Sequence, residues 1–79
     1  MRFQKVEVSA RLDQQGRWIP ESFCWKGETC RVVGTGRRWE DTSGLHILVM
    51  IGGDKGFELL YAGVEKSWYL KPPRSHTTV

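Results

Sequence analysis

Apolar and polar residues alternate with a period of two along most of this chain. Val6, Val8, Ala10 and Leu12 are separated by Glu7, Ser9 and Arg11, which predicts a strand with one packed face and one wet face. Gln14-Gln15-Gly16 supplies a turn. Trp18 and Ile19 follow, and Pro20, which has no N–H to donate, limits pairing at that point. Phe23 and Trp25 alternate with Ser22, Cys24 and Lys26 in a second strand, and Lys26-Gly27-Glu28 suits a short hairpin connection. Cys30 and Val32 resume the pattern on the return strand. Gly34 and Gly36 interrupt it, so a bulge or sharp bend is expected before Arg37 to Trp39.

Asp41-Thr42-Ser43-Gly44 is a turn signal. Leu45 to Ile51 is then apolar at every position except His46. A strand that is apolar on both faces needs cover on both, and the second cover must be another layer, a tail or a partner molecule. After the glycine-rich loop Gly52–Gly56, Phe57, Leu59 and Tyr61 share one face and Glu58 and Leu60 the other. Ala62-Gly63 turns the chain into a last strand, Ser67–Lys71, with Trp68 and Leu70 inward. Pro72-Pro73 stops that strand.

No segment combines helical period, a cap and adequate length. The expected fold is therefore all-β: a small SH3-like half-open barrel or curled antiparallel meander of five to six strands, with strands over about half the chain. Residues 1–71 form a single domain and 72–79 a disordered tail. The expected core is Val6, Val8, Phe23, Trp25, Val32, Ile47, Val49, Phe57, Leu59, Trp68 and Leu70.

A chain of 79 residues has a thin core. Four tryptophans, three phenylalanines and two tyrosines offset this, because aromatic side chains remove the most area from water. The net charge of +3 permits an acidic partner without demanding one, and the basic residues are spread along the chain apart from the pair Arg37-Arg38. No apolar run approaches membrane-spanning length and the N-terminus has no signal-peptide core, so a cytoplasmic location is expected and Cys24 and Cys30 are expected as reduced thiols.

Pro20-x-x-Phe23-x-Trp25-x-Gly27, followed by Val32 and Trp39, resembles an uncharacterised family of short bacterial all-β domains. Phe57-Glu58-Leu59 and Trp68-Tyr69-Leu70 look like that family's closing hairpin. Some members are appended to Y-family DNA polymerases, so the resemblance implies a link to DNA repair; it carries no activity. This chain departs from the pattern at Cys30, where an aromatic is expected, and in the apolar run from His46 to Met50.

Chemistry-bearing groups are sparse. Cys24 and Cys30 flank the Lys26–Glu28 loop: a three-residue loop would pair them directly, a two-residue loop would set them on a diagonal. They are two ligands where structural zinc needs four, and His46 and His76 lack ligand spacing, so no metal and no cofactor is expected. No nucleophile has a base and an orienting group at recognisable spacing, which points away from an enzyme. Gly34-x-Gly36 before Arg37-Arg38 lacks the Lys-Ser/Thr and the helix of a phosphate-binding loop.

Two readings remain, both of a non-catalytic binding module. In the first, Arg37, Arg38, Trp39, Arg17 and Trp18 contact nucleic acid, the arginines on phosphate and a tryptophan on a base. Trp39 in the core and Trp18 capping one end of the barrel are the plainer alternatives. In the second, the apolar strand 45–51 binds a protein partner or a second copy of the chain.

Overall fold

The computed structural model describes residues 3–53 and 55–71; the tail expected at 72–79 lies outside them. Seven strands form: β1 (Gln4–Val6), β2 (Val8–Leu12), β3 (Trp18–Trp25), β4 (Glu28–Asp41), β5 (Gly44–Ile51), β6 (Lys55–Ala62) and β7 (Ser67–Lys71). No helix occurs among the described residues, and strands cover 75% of them, more than the half expected. The count exceeds the expected five to six because the N-terminal run breaks at Glu7 into two strands with different partners.

All neighbours are antiparallel, in the order β1-β7-β6-β5-β4-β3-β2. The first and last members of that order, β1 and β2, are consecutive pieces of one segment, so the sheet must curl into a half-barrel. The Cys24 amide donates to the Glu7 carbonyl (3.0 Å) and ties the joint to β3. β4 serves two partners in turn. Its start, Glu28–Arg31, pairs with β3, and from Val32 onward it pairs with β5. Pairing of β3 with β4 reaches no further than Ser22, short of Pro20, which leaves the half-barrel open on that side.

Register shifts in β4 between Val32 and Gly34, and between Thr35 and Arg38, are the bulges expected from the two glycines. They let a 14-residue strand bend across the curl.

The core consists of Phe23, Ile47, Val49, Phe57, Leu59, Trp68 and Leu70. Val6, Val8, Trp25 and Val32 were expected there and are half-buried around it. Phe57 meets the rings of Phe23 and Trp25 edge to face, with centroids 5.3 and 5.9 Å apart. Such pairs contribute about 0.5–1.5 kcal/mol beyond the area they bury.

The β3–β4 loop is the two residues Lys26 and Gly27, both at positive φ (52° and 79°), between paired Trp25 and Glu28. Register then sets Cys24 opposite Thr29 and Phe23 opposite Cys30. Cys24 is exposed and Cys30 packs against the core, so the thiols sit on opposite faces of the hairpin and are not placed to bridge.

The apolar run in β5 divides by face. Ile47 and Val49 are buried in the core, with Leu45 and Ile51 packed against it, while His46, Leu48 and Met50 point outward. His46 is covered, but Leu48 and Met50 remain exposed.

Candidate functional site

Two local structures, more than twenty residues apart in sequence, meet at one end of the half-barrel. The first is the turn after β2. Asp13 organises it: its Oδ1 accepts the amides of Gln15 (2.8 Å) and Arg17 (2.9 Å), and its Oδ2 accepts Nε of Arg17 (3.1 Å). The Arg17 amide bond, then the other donors, hold the Asp13 carboxyl below its ordinary pKa against the opposing effect of burial. The second is the β4–β5 hairpin, with Asp41 paired to Gly44 around Thr42-Ser43. Asp41 Oδ1 accepts the Ser43 amide (2.8 Å). Gly44 has φ +140°, and a Cβ there would collide with the Tyr61 carbonyl, so this turn needs glycine.

Between them lies a cleft of about 870 Å³ lined by Arg17, Trp18, the hairpin residues Arg38 to Leu45, Tyr61, Gly63 and Val64. Four of the five residues singled out for nucleic acid, Arg17, Trp18, Arg38 and Trp39, thus share one cleft. Arg37 does not line it. Arg38 pairs with inward-facing Ile47, whereas Arg37 falls in the bulge, its guanidinium 5.5 Å from the centre of the Trp39 ring.

The two tryptophans differ from the stacking platforms envisaged. Trp18 leans on Tyr61 (5.5 Å) and on the edge of Trp68 (6.1 Å), so it caps this end of the core. Trp39 is not a barrel-core residue. It pairs across the ladder with His46 on the outer face, and the two rings stack with centroids 4.9 Å apart and planes 3° from parallel. Trp39 is thus a lining residue of the cleft whose ring lies on the outer face, against His46 and Arg37.

His46 is the one buried polar side chain among the described residues. It is 6% exposed, with Phe3 tilted against it at 6.1 Å. Its Nδ1 lies 2.7 Å from Glu58 Oε2 and its Nε2 lies 3.0 Å from Asp41 Oδ1. Carboxylates only accept, so both contacts are hydrogen bonds together only when both ring nitrogens carry a proton, that is, in the imidazolium form. Burial favours the neutral ring, but the hydrogen bonds and charges of Asp41 and Glu58 outweigh it and raise the His46 pKa above 6.5. The same bond to His46, and then the Ser43 amide, lower the pKa of Asp41. Lys71 Nζ stands 3.8 Å from Glu58 Oε1.

No group of three or more metal-ligating side chains able to hold an ion occurs among the described residues. Comparison of the chain with protein-family models, with curated proteins and with solved structures gives no match.

In the sequence His46 stands only as a histidine without ligand spacing, and its role as a link between β4, β5 and β6 emerges from the fold. A polar residue alone in an apolar strand was the available signal. Its partners, 5 and 12 residues away, are brought to it by register and the hairpin turn.

Proposed function

We propose that this domain is a non-catalytic binding module with an SH3-like barrel, and that its cleft takes a single strand of nucleic acid. The reading rests on one observation: Arg17 and Arg38, from separate hairpins, converge with Trp18 and Trp39 on a single cleft. Grip would come from the arginines on phosphate, with the tryptophans as apolar walls rather than stacking platforms. Of the two acids in the lining, Asp41 is matched by the His46 imidazolium, leaving Glu40 as the exposed negative charge. The family resemblance, with its link to DNA repair, and a net charge of +3 support the same reading.

The test is fluorescence anisotropy with labelled single- and double-stranded oligonucleotides at low and moderate salt. Arg38→Gln should weaken binding across all sequences and reduce the salt slope by about one. No binding at about 50 mM salt, where the electrostatic contribution is strong, would remove nucleic acid as the ligand.

A second reading has its own observation. Leu48 and Met50 are 38% and 41% exposed on the outer face, and Val33 in the nearby bulge is 67% exposed. These positions suit a protein partner or a second copy of the chain. Sedimentation equilibrium at low and high salt separates the two, because apolar association persists where phosphate binding is screened. Self-association that survives salt and is lost in Leu48→Lys would favour this reading.

A further inference from the structure

We propose that His46 is a proton-controlled positioning residue: its protonated ring holds the Asp41 carboxylate and the Trp39 ring in the cleft wall, and loss of the proton releases Asp41 to the rim. The consequence for ligand affinity rests on the nucleic-acid reading above; the switch itself does not.

The geometry dictates which carboxylate is released. A neutral imidazole has one N–H to share between two carboxylates. Glu58 is the more enclosed, with its side chain 15% exposed against 49% for Asp41, and Lys71 at 3.8 Å is too far away to replace the imidazole hydrogen bond. Leaving the enclosed carboxylate without a donor costs more, so the remaining N–H stays on Nδ1 toward Glu58. Nε2 then presents a lone pair to Asp41 Oδ1 at 3.0 Å, and this contact becomes repulsive. Asp41 is free to leave because water already reaches it, and it carries the Thr42-Ser43 turn through its bond to the Ser43 amide.

Other charged groups lie on the strands around this cluster. Arg37 lies over Trp39 from β4, Lys71 approaches Glu58 from β7, and Glu40 precedes Asp41 in the cleft lining. Lys5 of β1 and Tyr69 of β7 are cross-strand neighbours, and the Tyr69 hydroxyl donates to Glu65 (2.6 Å). Phe3 contributes a ring without charge. Above the transition the cleft lining that includes Arg38 would carry an unmatched carboxylate, and a polyanion would bind less well.

The experiment follows the wild-type protein by NMR from about pH 5.5 to 9, across the range in which histidine titrates. The His76→Gln variant distinguishes the two histidines. His46 should titrate above 6.5, and the Trp39 indole and the Ser43 and Gly44 amides should shift at the same midpoint. Asp41→Asn should abolish the shift of the turn amides. A labelled single strand of roughly 12 nucleotides should bind about two- to fivefold more weakly above the midpoint, the range for one screened surface charge, and Asp41→Asn should remove that dependence.

Titration of His46 without movement of the turn, or oligonucleotide affinity that is equal on both sides of the midpoint, would overturn the proposal. Coupled movement of ring and turn with no oligonucleotide bound at any pH would uphold the switch and reject the nucleic-acid reading alone.

Discussion

Trp39 and His46 face each other across the β4–β5 ladder with ring planes 3° from parallel. That contact covers a buried imidazolium on the outer face of the sheet and binds the wall of the cleft to the barrel. Four consequences of this and the surrounding packing can be measured.

Stability should depend on pH through His46. Its folded-state pKa is raised above 6.5, so its contribution is fully present below about pH 6.5 and is lost as pH rises through the folded value. The thermal midpoint should fall as pH rises above 6.5 through the folded value, and His46→Gln should flatten that limb. At the acid end Asp13 and Asp41 act oppositely. Both are lowered from 3.8, so their contribution is present above that value and is lost as pH falls through their folded pKa. Thermal melts across the full pH range would show both limbs.

Gly44→Ala should destabilise the domain by about 1–3 kcal/mol, the usual cost of forced overpacking. The new methyl meets the backbone of Tyr61 and Ala62, which cannot rotate away, and φ at Gly44 is +140°. Gly27→Ala meets no atom within 4 Å and suffers only from its positive φ, so it should cost less. Urea unfolding of the two variants gives the comparison, and a larger loss for Gly27→Ala would contradict the packing described.

Leu59 and Leu48 are both strand leucines and should behave differently. Leu59 is fully buried at the centre of the core, and Leu59→Ala should cost about 2–5 kcal/mol. A domain this small rarely has more than about 3–5 kcal/mol to lose, so this variant should be largely unfolded. Leu48→Ser, on the exposed outer face, should change stability by less than about 0.5 kcal/mol. Circular dichroism at room temperature separates the two outcomes.

Oxidation should produce no bridge between Cys24 and Cys30 within one chain. The two-residue turn sends their side chains to opposite faces, and only Cys24 reaches solvent freely. Mild oxidant should give dimers joined through Cys24, and Cys24→Ser should abolish them. An intramolecular disulfide in mass spectra would show that the hairpin register is wrong. Chelator should leave the thermal midpoint unchanged.

Much of the architecture can be read along the chain, because a strand's faces follow from a period of two and need only neighbouring residues. Alternation marked Phe23, Phe57, Leu59, Trp68 and Leu70 as inward, and all are buried. Gly34 and Gly36 marked bulges, and Pro20 marked the place where β3 loses its second partner. Other features depend on which residues become neighbours across the sheet. The run Leu45–Ile51 announced two apolar faces, yet only register with Trp39, and the arrival of Phe3, covered His46 and left Leu48 and Met50 bare. The convergence of Arg17 with Arg38, and of Asp41 with His46 and Glu58, required the barrel to curl and the Thr42-Ser43 turn to close. Local pattern determines strands, turns and faces, since it is set by backbone geometry within a few residues. The cleft and its buried ion cluster come from long-range pairing, which no single stretch of the chain encodes.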